Sequence, residues 1–382
     1  MTLAARDIER LIAWRHDLHR KPELSGQEVE TARTVQAWLA STGADRIVTG
    51  LGGHGVLGIY DGEAPGPSVM LRAELDALPI PETSDIPHRS QVAGKAHLCG
   101  HDGHMAILAG VALALHGKRP TRGRVLLLFQ PAEEDGSGAR AVLADEKFRQ
   151  FRPDFAFAVH NLPGVALGQV AIADGLVNCA SRGLQIRLFG RTAHASTPEL
   201  GLSPSGALIR LLAEIGPLGR AGDLNQDFAM VTITHARLGE PAFGIAPGYA
   251  ELWLTLRTSS DARMDYLRGR IDALVRSVAD DEGLRTEITE HDVFSHCNNA
   301  PEAVAHLTRA LKDEQLAYSA AGLPMRASED FGQFGQTAKS AMMFLGAGVD
   351  HAGLHDPDYD FPDDLIAIGT RVFTRTLDNL LG

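Results

Sequence analysis

The chain has 382 residues, a formal net charge of −12 at neutral pH and 44% hydrophobic residues. That length exceeds one ordinary core and points to two domains, and the acidic balance excludes the clustered basic surface that nucleic acid or an anionic membrane requires. Three scattered cysteines (Cys99, Cys179, Cys297) are too few for a disulfide framework and fit a reducing, cytoplasmic setting. No uncharged apolar run reaches the roughly 18 residues of a membrane span, and the charged opening does not read as a signal peptide.

In chain order, Ile8, Leu11, Ile12 and Leu18 at helical spacing predict an opening helix. Ser25 and Glu28 in "PELSGQE" read as a capping box for a second helix that carries Val35, Trp38 and Leu39 and stops at Gly43. Apolar runs bounded by Gly and Pro follow: "SVMLRAEL" (68–75), "RVLLLFQ" (124–130), "DFAFAVH" (154–160) and, far downstream, "AMMFLGAG" (341–348). Near-continuous apolarity suits strands buried on both faces of a mostly parallel sheet, and the helical patterns between them give βαβ alternation.

The texture changes midway. "GLQIRLFGR" (183–191) and "AELWLTLRT" (250–258) alternate apolar and polar residues, as strands with one wet face do. The expected fold is therefore α/β: a mostly parallel-sheet catalytic domain (1–178 and 291–382) with a smaller α+β lid and dimerisation domain (179–290) inserted.

Ligands of open α/β sheets bind beyond the carboxyl ends of the strands. Asp76 follows the first buried run, Glu133 and Glu134 the second, His160 and Asn161 the third, and Asp350, His351 and His355 the last. "KAHLCGHDGHM" adds His97, Cys99, His101, Asp102 and His104 at a helix start on the same rim. Each residue alone reads as an ordinary loop, capping or solvated residue. Their convergence on one crevice predicts a metal site. A redox role for Cys99 is the weaker reading, since no second cysteine lies nearby in sequence.

Seven motifs sharpen this expectation: "WRHDLHRKPELS", "RAELDALPI", "AHLCGHDGHM", "LLLFQPAEEDGSGA", "AVHNLPG", "GRTAHASTPELG" and "GLHDPDYDFPDD". Through them the chain, from about residue 14 to 364, resembles the M20 metallopeptidase and aminoacylase family, in the amidohydrolase branch of hippurate hydrolases, N-acyl-amino-acid amidohydrolases and plant auxin-conjugate hydrolases. The resemblance implies Cys99, His101, Glu134, His160 and His355 as metal ligands and Glu133 as general base. It also implies His194 of "TAHAS" as an oxyanion donor near the partner subunit's site, and hence a homodimer. Many relatives have Asp where this chain has Glu74, so that position receives no ligand role. His97, His104 and His351 are rival ligands; in the family the first two are not ligands.

Five ligands are one more than a tetrahedral zinc needs, so either two divalent ions share the site or one ion has higher coordination; two is the expectation. Zinc, manganese, cobalt and nickel all suit the donors. Neighbouring side chains diverge, so one of the two glutamates can hold metal while the other reaches the bound water; the resemblance gives Glu134 the first role and Glu133 the second. The function so implied is hydrolysis of N-acyl or N-aroyl amino acids to a carboxylic acid and a free amino acid. A dipeptidase or carboxypeptidase on the same site and a non-catalytic, metal-retaining binding protein are the alternatives. Arg257 is a candidate for the substrate carboxylate, or a solvated strand-face arginine.

Overall fold

The computed structural model describes residues 3–219 and 222–382. The first stretch of chain forms α1 (Ala5–His19), α2 (Val29–Ser41), β1 (Arg46–Leu51), β2 (Gly55–Asp61), β3 (Ala64–Glu74), α3 (His101–Gly117), β4 (Arg122–Gln130), α4 (Gly138–Ala144) and β5 (Phe155–Pro163). The middle forms β6 (Ala180–Phe189), α5 (Ser205–Ile215), β7 (Ala229–Leu238), β8 (Tyr249–Thr258), α6 (Asp261–Asp281) and β9 (Arg285–Phe294). The last contributes α7 (Pro301–Asp313), β10 (Lys339–Gly348) and α8 (Asp364–Leu381). Residues 1–177, 297–323 and 330–382 make one unit and residues 178–296 and 324–329 another.

In the first unit the strands lie in the order β1-β2-β4-β3-β5-β10, and the short pieces Val170–Ala171 and Tyr318–Ser319 complete an eight-stranded sheet. The four strands β4-β3-β5-β10 run parallel, while β1 and β2 join antiparallel at one edge. Their apolar runs are buried without alternation, because helices cover both faces. Helix α3 is buried nearly all round from His101 to Leu115, which explains an apolar composition that shows little amphipathic bias. The parallel direction brings the ends of β3, β4 and β5 to one rim.

The second unit is an antiparallel sheet ordered β7-β8-β6-β9. Leu184, Ile186 and Leu188 of β6 and Leu252, Leu254 and Leu256 of β8 bury one face against Leu208 and Leu211 of α5 and Leu267, Ile271 and Val275 of α6. The alternating pattern produced this one-sided burial.

Ser25 and Glu28 do not form the expected capping box. Helix α2 has no side-chain cap; the Ser25 hydroxyl donates to Asp76 Oδ2 at 2.7 Å, and Glu28 Oε1 accepts from the backbone N–H groups of Gly26 and Ala132, each at 2.9 Å. Tertiary partners at the rim outcompeted a local one. Ala132 needs that support, because it holds φ +50°, a left-handed conformation costly to a residue with a Cβ.

Candidate metal centre

The centre is built from "CGHDGH" outward. Gly100 has φ +91°, and a Cβ there would lie 2.4 Å from Asn161 Oδ1; a Cβ on Gly103 would lie 2.3 Å from the Phe361 ring. Both glycines let the start of α3 press against β5 and the loop before α8. His101 and Cys99 thereby reach the ends of the strands.

Second contacts fix how the rings face. His101 Nδ1 donates to the Asp76 carbonyl at 2.8 Å, and His160 Nδ1 donates to the Asn161 carbonyl at 2.8 Å. With each Nδ1 donating, Nε2 is the nitrogen turned toward the other donors, and at His101 it would give up its proton to present a lone pair to a cation. His160 Nε2 lies 3.4 Å from Cys99 Sγ, and His101 Nε2 lies 3.7 Å from Glu134 Oε1 and 3.8 Å from Glu133 Oε2. Glu134 Oε2 in turn stands 3.7 Å from His355 Nε2. His355 is half-exposed and carries φ +68°, its backbone N–H held by the Leu98 carbonyl at 2.9 Å.

Donor atoms of Cys99, His101 and His160 thus cluster within 4.8 Å of one another, as do those of Cys99, Glu134 and His355 and those of His101, Glu133 and Glu134. Tetrahedral ligands some 2.0–2.3 Å from an ion stand roughly 3.3–3.8 Å from each other, so these spacings suit donors around a cation. His101 Nε2 is buried with no hydrogen-bond partner among the described residues, as a lone pair aimed at an ion would be. The field agrees. Burial opposes a charged His101, yet the Asp76 hydrogen bond and the Glu134 charge outweigh it and carry its pKa up to about 9. Asp76 is held down at about 2, because the His101, Glu134 N–H and Ser25 contacts outweigh burial. A field that retains a proton so firmly also favours a metal cation.

The expected divergence of Glu133 and Glu134 is not found: both converge on one His101 nitrogen. They lie in a turn entered through the positive φ of Ala132, outside the strand whose alternation would part them. Glu134 spans onward to His355 with its second oxygen.

The rival histidines differ in how they are held, although His104 lies with Glu74 and His101 in a further group of donors within 4.8 Å of one another. His104 is engaged at both nitrogens, by Glu74 Oε2 at 2.7 Å and Asn161 Oδ1 at 2.6 Å, and Glu74 also binds Arg72. His351 Nδ1 binds the Ala352 carbonyl at 3.1 Å. Burial pushes the His97 ring down to about 3, so it is neutral, and it joins none of the metal-capable groups among the described residues.

His194 lies in the other unit, exposed, on a two-residue strand paired with Ile245. Its Nδ1 accepts from the Ser196 backbone N–H at 3.2 Å and from the Ser196 hydroxyl at 2.7 Å. The ring proton therefore sits on Nε2, free to donate outward. In the same unit Arg257 donates to the Arg326 carbonyl at 2.7 Å and to Ser328 Oγ at 2.8 Å, both neutral acceptors.

Sequence reasoning missed the support beneath the start of α3. The Arg15 Nε and the His19 Nδ1, both on α1, donate to Asp102 Oδ2 at 2.7 and 2.9 Å, and Glu82 lies 3.4 Å from His19 Nε2. The paired Arg and His of "WRHDLHR", one helical turn apart, were the available signal. Burial opposes the His19 charge, but Asp102 and Glu82 raise its pKa from 6.5 to about 9. With the folded value above the ordinary one, this contribution is complete below pH 6.5 and disappears as pH rises through about 9. It amounts to about 3 kcal/mol. Urea unfolding of wild type is expected to weaken more between about pH 6 and pH 9.5 than that of His19→Gln. Parallel curves would remove His19 as the cause.

The family described as Peptidase family M20/M25/M40 matches residues 70–379. The N-acetyldiaminopimelate deacetylase of Anoxybacillus flavithermus is 31% identical over 365 residues, covering 94% of this chain and 96% of that protein. The hippurate hydrolase of Campylobacter jejuni is 30% identical over 365 residues, covering 94% of each. Among solved structures, the Bacillus subtilis YXEP protein, described as a dinuclear metal binding peptidase from the M20 family, aligns with a TM-score of 0.83 at 25% identity over 99% of both chains.

Proposed function

This chain belongs to peptidase family M20/M25/M40 as a metal-dependent amidohydrolase, and from that premise we propose that it hydrolyses N-acyl or N-aroyl amino acids to a carboxylic acid and a free amino acid. The observation that carries the reading is the gathering of five donors (Cys99, His101, Glu134, His160, His355) with a sixth group, Glu133, beside them at His101. Cys99, His101, Glu134, His160 and His355 would hold two divalent ions; zinc, manganese, cobalt and nickel suit these sulfur, nitrogen and oxygen donors. Such ions, when bound, polarise a carbonyl and bring the pKa of water to about 7.

Glu133 then takes a proton from water as the water oxygen bonds to the amide carbon. It returns that proton to the amine nitrogen as the carbon–nitrogen bond breaks, so the carboxylate ends as it began. The Nε2–H of His194 donates to the oxyanion of the tetrahedral stage.

The test is amino-acid release by metal-reconstituted protein from acetyl-, benzoyl- and long-chain-acyl amino acids, the matching amino-acid amides, and dipeptides. Release from acyl amino acids, weaker from the amides, supports the reading. Release from dipeptides alone replaces it with a dipeptidase, and no release by fully metallated protein with a binding function.

A homodimer through residues 178–296 accompanies this reading. Strand β7 is a sheet edge, exposed along most of its length, with Ile233 and Leu238 facing solvent. If His194 serves a partner's site, mixing Glu133→Gln with His194→Ala chains is expected to restore turnover, because mixed dimers carry one intact set. A mixture no better than its parents counts against action between copies. No helix among the described residues is long and apolar enough to cross a membrane; the three cysteines are buried and outside any disulfide, which is consistent with the cytoplasm as the place of action.

A further inference from the structure

Arg15 is fully buried and uses every edge of its guanidinium: Nε meets Asp102, Nη1 meets Asp363 at 2.9 Å, and Nη2 meets Asp360. Asp102 follows His101 at the start of α3, whereas Asp360 and Asp363 belong to the segment that leaves His355 for α8. Between those two carboxylates Phe361 packs on Gly103, its ring 5.8 Å from the Arg15 guanidinium carbon. At the other end of the same pair of segments, the His355 N–H binds the Leu98 carbonyl.

We propose that Arg15 is a positioning residue which locks the His355 segment to the Cys99–His101 segment and so sets the spacing of donors contributed from opposite ends of the chain. The proposal rests on the two-metal reading above. A planar fork satisfies three carboxylates in fixed directions, which an ammonium cannot do. Asp360 and Asp363 are further held by His88 Nε2 at 3.1 Å and His16 Nε2 at 2.9 Å, and those two rings stack 3.6 Å apart, so the tie is braced from α1 and from the 81–90 loop. Without it, the segment carrying His355 would keep its backbone bonds, His355 N–H to Leu98 and Pro357 carbonyl to Thr83, but lose its charged tie to the start of α3.

The test leaves the buried Arg15–Asp102–His19 contacts intact and cuts the loop side. Asp360 and Asp363 are 27% and 30% exposed, so Asp360→Ala/Asp363→Ala removes no fully buried charge. Cobalt titration of the full chain, read by sulfur-to-cobalt charge transfer and by the visible ligand-field bands, is expected to show the weaker cobalt equivalent bound about 10- to 100-fold less tightly, the range typical of lost outer contacts. Asp360→Asn/Asp363→Asn keeps an acceptor at each position and is expected to recover most of that affinity. Unchanged cobalt affinity in the alanine variant, even with a lowered melting temperature, would mean that the tie is structural only and overturns the proposal. Equal losses in the alanine and asparagine variants overturn it too. If the double alanine variant does not fold, Asp363→Ala decides by the same criteria. Wild type that binds no cobalt, or shows no charge transfer from Cys99, marks failure of the metal reading itself.

Discussion

Glu133→Gln is expected to retain a full complement of metal and to lose turnover by about 10²–10⁴-fold. The amide fits the space of the carboxylate but cannot accept a proton, while Cys99, His101, Glu134, His160 and His355 are left untouched. Glu133 is buried, 3.8 Å from the His101 nitrogen, and it is the neighbouring Glu134 that spans to His355, so the substitution leaves the His101–Glu134–His355 run of donors intact. Metal analysis and kcat on the same preparation check this. Near-normal turnover would transfer the base role elsewhere, and loss of metal would make Glu133 a ligand.

Glu134→Ala is expected to do the opposite: metal content falls toward zero, and turnover falls by more than about 10³-fold because no activated water remains. Its two oxygens stand 3.7 Å from His101 and 3.7 Å from His355, each on a different side. Bound divalent ions would bring concentrated positive charge to these donors, and the negative charge of Glu134 would offset it, a role alanine cannot fill. Elemental analysis after dialysis, with activity restored or not by excess metal, measures the effect. A variant that keeps two tightly bound ions would exclude Glu134 from the centre.

The contrast between these adjacent glutamates marks the limit of what local pattern can determine. Strand identity was legible from the buried runs 68–75, 124–130 and 154–160, because a short, continuously apolar run between Gly and Pro must be covered on both sides. The rim position of Cys99, His101 and His160 followed from the strand directions. The side-chain directions of Glu133 and Glu134 did not follow, since the positive φ of Ala132 depends on a hydrogen bond to Glu28, 104 residues away along the chain. Ser25 and Glu28 matched a local capping pattern and were drawn off by Asp76 and Ala132. Likewise His104, indistinguishable from a ligand by spacing, is saturated by Glu74 and Asn161. Pattern reports what neighbours in sequence can do, and these outcomes were decided by groups distant in sequence.

The conformation of His355 carries a consequence for how this protein drifts. A left-handed backbone suits glycine or asparagine better than histidine, so mutations that relieve the loop are within easy reach and would add stability to the metal-free fold. Selection on folding alone would therefore favour glycine or asparagine over the imidazole at this position. Descendants that abandon catalysis should show the change first at this position, with Gly100 and Gly103 outlasting it because packing defends them.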